Sequence, residues 1–140
     1  MMRASVLAAS ACLLAAPAAA QIVASPDCAA PDLAPPEIAA CAEEVFLAAE
    51  AELDATYRLA FTRAQAFDAE TAAQGLETAL TLEEGLRAAQ EAWLAYRDAE
   101  CDAEAALLRG GTGAPAAGTV CRARLNLART EALQGVVPDL

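Results

Sequence analysis

The sequence contains no histidine and no lysine, so its nine basic residues are all arginine, against 20 aspartates and glutamates. Without histidine, a Ser-His-Asp triad, most proton shuttles and the commonest metal ligand are excluded. The adjacent acids Glu43-Glu44 and Glu83-Glu84 do not suit glycoside hydrolysis, because neighbouring residues of a helix diverge by about 100°. The composition therefore predicts a protein that is not an enzyme and that uses no cofactor and no metal.

Residues 1–20 have the features of a secretory signal peptide. Arg3 gives a short positive region, residues 6–16 are apolar, and a run of small residues ends at Ala20. The apolar stretch is too short to cross a bilayer and no other stretch of about 18 apolar residues lacks charge, so no transmembrane segment is predicted. Cys12 lies inside the apolar stretch rather than after it, which argues against a lipid anchor. We expect a periplasmic or secreted protein, cleaved near Ala20.

The mature chain is strongly acidic. Cleavage removes Arg3 and no acid, which leaves eight arginines against 20 acids and a formal charge of −12. Nucleic acid and anionic lipid are disfavoured as partners, because no basic stripe is present to neutralise phosphates. The acidity fits a cationic partner, and it equally fits a small exported protein that must stay soluble.

Four cysteines, at positions 28, 41, 101 and 121, remain after Cys12 is removed with the signal. An even number of cysteines in an exported chain predicts two disulfides, for which three connectivities are possible. Zinc is the rival explanation for four thiols. It is disfavoured, because the chain has neither histidine nor a Cys-x-x-Cys pair and is sent to an oxidising compartment.

The apolar pattern predicts an all-α fold, a small antiparallel domain of three main helices without strands. An irregular Pro-rich arm covers residues 21–36 and the helical domain covers residues 37–136. The expected helices span about 36–67, 80–108 and 119–134. Their predicted core contains Phe46, Leu53, Tyr57, Trp93 and Leu125. On the third helix, the apolar side is predicted to hold Cys121, Leu125, Ala128, Ala132 and Val136.

A glycine-rich segment at residues 109–118 separates the last two helices. It lacks the lysine, the preceding strand and the glycine spacing of phosphate-binding loops, so a flexible turn is predicted. Loops on a rigid scaffold commonly carry recognition, which makes this segment the candidate partner-binding loop. The residues assigned to it are Gly110, Gly111, Thr112, Gly113 and Pro115.

The second helix carries the only tryptophan among polar residues. Within about 60° of Trp93 on a helical projection lie Leu86, Ala89, Gln90, Tyr96, Arg97 and Glu100. The first helix likewise turns one acid, Glu50, inward. Buried polar groups need partners, so Arg97 is predicted to pair with Glu50, or failing that with Glu100, and Gln90 to bond nearby groups. A register-fixing ion pair between helices is favoured here over a ligand site.

The run Gln90-x-x-Trp93-x-x-Tyr96-Arg97-Asp98-x-x-Cys101 resembles the signature of the lysozyme inhibitor LprI-like family. The resemblance extends to Cys28, Cys41, the Glu50-x-x-Leu53-x-x-x-Tyr57 segment, the Gly110-Gly111 loop, Cys121, Arg129 and Leu133. Glu50 stands where relatives usually carry aspartate, and Asn126 where threonine is common. The resemblance implies the disulfides Cys28–Cys41 and Cys101–Cys121, each of which closes a short loop.

The resemblance also implies an exported protein that inhibits lysozyme, a cationic wall-cleaving enzyme. An acidic domain would be steered towards such an enzyme and would then cover or plug its cleft. The alternative is a periplasmic interaction module with another partner and no effect on lysozyme. Neither hypothesis specifies the oligomeric state.

Overall fold

The computed structural model describes residues 28, 30, 32–76 and 78–136, and these form three helices without a strand. The helices are α1 (Pro35–Ala73), α2 (Leu82–Ala106) and α3 (Ala114–Val136). The predicted all-helical class is confirmed. The predicted signal peptide lies outside the described residues, as does most of the Pro-rich arm. None of the described helices is long and apolar enough to cross a membrane.

The helix α1 is longer at its C-terminal end than the sequence pattern predicts. The sequence predicts a break or a short helical turn over residues 68–78, yet α1 continues to Ala73. Asp68 explains the difference, because its carboxylate accepts the backbone N–H groups of Leu82 at 2.9 Å and Glu83 at 2.8 Å. These are unpaired donors of the first turn of α2, so a residue expected in a break instead caps the next helix.

The helix α3 starts at Ala114, about five residues before the predicted start at Thr119. Pro115 lies in the first turn, where its missing N–H removes no helical hydrogen bond. Gly118 is part of the helix because α2 passes close by. A Cβ at this position would lie 3.4 Å from the Ala105 Cβ and 3.5 Å from the Cys101 carbonyl oxygen. The predicted loop is therefore shorter than expected, and its second half is helical.

The helices run up, down and up, so α2 is antiparallel to both of its neighbours while α1 and α3 are parallel. The hydrophobic core consists of Leu53, Ala60, Ala64, Leu86 and Leu133, with Tyr57, Phe61, Leu82 and Trp93 packed against it. Of the predicted core, Leu53 is buried and Tyr57 and Trp93 are partly buried against this cluster. Phe46 and Leu125 are half-buried outside it. Small buried residues on α1, such as Ala42 and Ala49, let the long helices approach closely.

Both predicted disulfides are confirmed. Cys28–Cys41 joins the arm to the start of α1, and Cys101–Cys121 joins α2 to α3. Cys101 and Cys121 are completely buried. The second disulfide therefore fixes the two helices that carry the α2–α3 loop.

Candidate functional site

Six side chains from all three helices meet in the middle of the bundle and form what we call the polar cluster. Its members are Glu50 from α1, Gln90, Trp93 and Arg97 from α2, and Asn126 and Arg129 from α3. The cluster lies beside the hydrophobic core, because Trp93 packs against that core. It combines the inward-facing polar residues of the tryptophan motif with two residues of α3.

Arg97 is the centre of the polar cluster. Its side chain is 9% exposed, and its Nη1 donates to the Glu50 Oε2 at 3.1 Å and to the Asn126 Oδ1 at 3.1 Å. Its Nε donates to the Asp98 Oδ1 at 2.9 Å. The predicted pairing of Arg97 with Glu50 is confirmed, so one guanidinium connects all three helices.

Asn126 completes the arrangement and is fully buried. Its Nδ2 donates to the same Glu50 Oε2 that accepts from Arg97. Glu50 and Asn126 therefore contact each other directly in the middle of the bundle. Sequence reasoning assigned Asn126 no role. The sequence does hold one indication that Asn126 faces inward. Thr130 and Leu133 follow it at helical intervals and lie on the same face of α3.

Two guanidinium groups lie close to the ring of Trp93. The Arg97 Cζ is 5.5 Å and the Arg129 Cζ 5.9 Å from the centre of the indole ring, which is within the range of cation–π attraction. Arg129 also donates from Nε to the Gln90 Oε1 at 3.0 Å, which confirms that Gln90 bonds a neighbouring group. Burial lowers the pKa of the Arg129 guanidinium, although electrostatic interaction with Tyr57 opposes the shift. Arginine side chains stay protonated at neutral pH in proteins, so Arg129 carries its charge.

Three predicted orientations are wrong. Tyr96 is 53% exposed, and Ala89 and Glu100 are exposed as well. The predicted face was centred on Trp93, but the buried residues Leu86, Gln90, Arg97 and Cys101 centre about 50° to one side of it on a helical projection. Trp93 therefore lies at the edge of the buried face, and residues on its other side face solvent. Tyr96 belongs to the motif but not to the polar cluster.

The predicted apolar side of α3 is wrong at three of its five positions, because only Cys121 is buried and Leu125 half-buried. Ala128, Ala132 and Val136 are exposed. The buried residues of α3 are Ala116, Gly118, Cys121, Ala123, Asn126, Thr130 and Leu133. The prediction placed only apolar side chains on the buried side of α3, whereas the side that faces α1 and α2 also includes an amide and a hydroxyl. Phe67 on α1 is 57% exposed, because no residue of α1 is buried beyond Ala64.

The polar cluster holds the three helices together. Its carboxylate is neutralised by a guanidinium, and every buried side-chain nitrogen or oxygen in the described part of the chain has a hydrogen-bond partner. Among the same residues, no group of three or more cysteine, aspartate and glutamate side chains is placed to hold a metal ion. The cluster therefore fixes how the three helices align.

The α2–α3 loop, residues 107–113, is the recognition candidate that sequence reasoning named. Gly110, Gly111, Thr112 and Gly113 lie in this loop, whereas Pro115 lies in the first turn of α3. An open groove of about 490 Å³ runs beside the loop. Its lining residues include Asp102, Ala105, Gly110, Thr112, Pro115 and Arg122.

The base of this loop is tied by covalent and ionic contacts between α2 and α3. Besides the Cys101–Cys121 disulfide, Arg122 pairs with Asp102 at 2.5 Å and Arg124 with Glu104 at 2.8 Å. These ion pairs are largely exposed, so each contributes little to stability. Together with the disulfide they hold the loop on a fixed base, which reduces the ordering cost of binding.

Comparison with known proteins supports the resemblance seen in the motif. The model of the family described as lysozyme inhibitor LprI matches residues 28–133. An uncharacterized protein of Rhizobium meliloti (strain 1021) is 39% identical over 94 residues, which is 67% of each chain. No solved structure matches the chain. The matched range contains both disulfides, the complete polar cluster and the α2–α3 loop.

Proposed function

The chain belongs to the lysozyme inhibitor LprI family, and from this premise we propose that it is an exported, non-enzymatic inhibitor that binds a cationic lysozyme. The observation that carries the proposal is the family match over residues 28–133. The acidity and the predicted signal peptide support it, since both suit a protein that meets a basic enzyme outside the cytoplasm. Release near Ala20 into the periplasm or the medium is part of the proposal.

The proposed mechanism is physical obstruction of the lysozyme cleft. The acidic surface raises the rate of encounter with a basic enzyme, and a rigid element then occupies or covers the site of cleavage. We assign that element to the α2–α3 loop with the adjoining ends of α2 and α3. The Cys101–Cys121 disulfide holds the base of this loop, and the loop borders the open groove.

The inhibitor hypothesis predicts salt-sensitive inhibition of cell-wall lysis by the purified mature protein. Raising the ionic strength from about 0.01 to about 0.15 M shortens the Debye length from about 30 to about 8 Å, so association should slow. The assay records the clearing of a cell-wall suspension by lysozymes of several structural types, and stopped-flow fluorescence gives the association rate. A variant with Glu43, Glu44 and Glu52 changed to glutamine removes exposed charge from α1. It should associate more slowly while its dissociation rate stays unchanged.

Absence of inhibition against every lysozyme type at low salt would refute the inhibitor hypothesis. Capture of a different partner by a protein without effect on lysis would favour the interaction module instead. Inhibition that does not depend on salt would retain the inhibitor but remove the electrostatic role of its acidity.

The loop assignment predicts that a bulky residue at Thr112 blocks inhibition without unfolding the domain. Deleting residues 111–117 would be a poor test, because α3 begins at Ala114 and would lose its first turn. Thr112→Trp adds bulk to an exposed loop position. It should raise the inhibition constant at least about 10-fold, because tenfold corresponds to about 1.4 kcal/mol and losing a central interface contact costs about 2 kcal/mol or more. The measurement is inhibition of lysis, with the helical circular dichroism signal recorded in parallel.

Thr78→Trp is the matched control for this prediction. Thr78 is exposed in the connection between α1 and α2, at the other end of α2 and about 37 Å away along a 25-residue helix. This variant should inhibit like the parent. Equal inhibition by the Thr112→Trp variant would show that the contact surface lies elsewhere on the protein.

A further inference from the structure

The α2–α3 loop contains one residue with an unusual backbone. Arg109 has φ 51°, the only positive φ of a non-glycine residue in the described part of the chain, and Gly110 follows with φ 74°. Side chains other than glycine, asparagine and aspartate rarely adopt this left-handed conformation. Glycine would be the unstrained choice at position 109, as it is at position 110. An arginine there is held at some cost in stability, and such strain is concentrated at functional sites.

The strained conformation is fixed by the end of α2. The Arg109 N–H donates to the Ala106 carbonyl at 3.0 Å, and the Gly111 N–H donates to the Leu108 carbonyl at 2.9 Å. The left-handed turn therefore ends α2 in the way that a C-terminal glycine commonly does. Because the turn itself would form more easily with glycine, the arginine side chain is not required for the fold.

The Arg109 guanidinium also differs from the other arginines in its surroundings. Within the described residues, ion pairs with carboxylates engage Arg58, Arg87, Arg97, Arg122 and Arg124. Arg129 is held by Gln90 and Trp93, and Arg63 lies exposed along α1. Arg109 is exposed and is the one arginine of the described chain that lies in a loop. It directly precedes Gly110, which lines the open groove.

We propose that Arg109 is the specificity-determining residue of the inhibitory loop and that its guanidinium pairs with the catalytic carboxylates of the target glycosidase. This inference rests on the proposed function. Enzymes that cleave glycosidic bonds place two carboxyl groups on either side of the scissile bond, and the arginine fork matches a carboxylate with two parallel hydrogen bonds. The acidic body of the inhibitor then faces the basic surface of the enzyme while its one loop arginine meets the acidic centre.

Four variants test the role of Arg109 in inhibition. R109A and R109G remove the guanidinium, R109K keeps the charge without the fork, and R63A removes an exposed arginine from α1 as the control for net charge. R109A and R109G should raise the inhibition constant about 30-fold or more, as expected when one member of a desolvated charge pair is lost. R109K should fall between them and the parent, and R63A should stay within about twofold of the parent. R109G should also melt at or above the temperature of the parent, because glycine relieves the strain.

The partner of Arg109 is tested with a lysozyme whose two catalytic carboxylic acids are replaced by the corresponding amides. Binding is measured by calorimetry, using the lysozyme type that the parent inhibits. The loss of affinity caused by R109A should shrink to less than about threefold against this enzyme, because the carboxylate partner is gone. An equal loss against both enzymes overturns the pairing, and R109A inhibition equal to that of R63A overturns the role of Arg109. In either case inhibition by the parent keeps the proposed function, whereas a parent that inhibits no lysozyme removes both proposals.

Discussion

Replacing Arg97 by alanine should lower the free energy of unfolding by about 2–4 kcal/mol. The substitution leaves the fully buried Asn126 without the donor to its Oδ1 and leaves Glu50 without its cation. It also removes one of the two guanidinium groups beside Trp93. Because 42% of the Glu50 side chain is exposed, water can solvate the unpaired carboxylate. The loss of stability therefore stays below that of a fully buried pair. Chemical denaturation followed by circular dichroism measures the effect.

Arg58→Ala is the matched control for the loss of one arginine. Arg58 pairs with Asp54 on the surface of α1, where the two side chains are 72% and 56% exposed. An exposed pair within one helix contributes about 0.3–0.5 kcal/mol, so this variant should be close to the parent in stability. If Arg97→Ala were no more destabilising than Arg58→Ala, the polar cluster would not hold the helices together, and Arg97 would again be a candidate ligand-binding residue.

The sequence was sufficient to predict the pairing of Arg97 with Glu50, because a buried charge needs a partner of opposite sign and few such partners face inward. A guanidinium on the inner side of α2 needs a carboxylate, and the inner side of α1 offers Glu50. The same reasoning could not find Asn126. An amide can be satisfied by backbone groups, by water or by other side chains, so its presence in a helix sets no specific requirement.

The predicted orientations were wrong where the sides of a helix differ little in hydrophobicity. The helix α3 consists largely of alanine, leucine and arginine, so several arcs have similar hydrophobicity, and the arc chosen was the one without polar residues. The orientation predicted for Tyr96 was wrong for a related reason, because the largest side chain of α2 was taken as the centre of the buried face. In the structure Trp93 lies at the edge of that face, where a large ring can pack against both the core and the arginines.

The ends of helices depended on contacts that lie far apart in the sequence. Asp68 bonds the start of α2 across 14 residues, and Gly118 is tolerated inside α3 because α2 passes close to it. Neither contact can be seen in a local pattern, so the first helix was predicted too short and the loop too long. The disulfides were predicted because cysteine chemistry and the family resemblance restrict the pairing independently of helix orientation.

Removal of the Cys101–Cys121 disulfide should lower the free energy of unfolding by about 3 kcal/mol. The double variant C101A/C121A opens a loop of 20 residues that joins α2 to α3. For a small domain whose total stability is about 5–15 kcal/mol, this loss should be visible as a large fall in the denaturation midpoint. Both sulfur atoms are also completely buried, so the alanines leave unfilled space between the helices, which adds to the loss.

The matched variant C28A/C41A separates the two causes of that destabilisation. Its disulfide closes 13 residues, and the chain-entropy contributions of the two loops differ by less than about 0.5 kcal/mol. Cys41 is only half-buried, so little packing is lost there, and C28A/C41A should be the more stable variant by more than that entropic difference. Equal losses of stability in the two variants would show that the second disulfide stabilises the fold only by restricting the unfolded chain. Retention of lysozyme inhibition by C28A/C41A with its loss in C101A/C121A, both measured below their melting temperatures, would show that the second disulfide also holds the α2–α3 loop for binding.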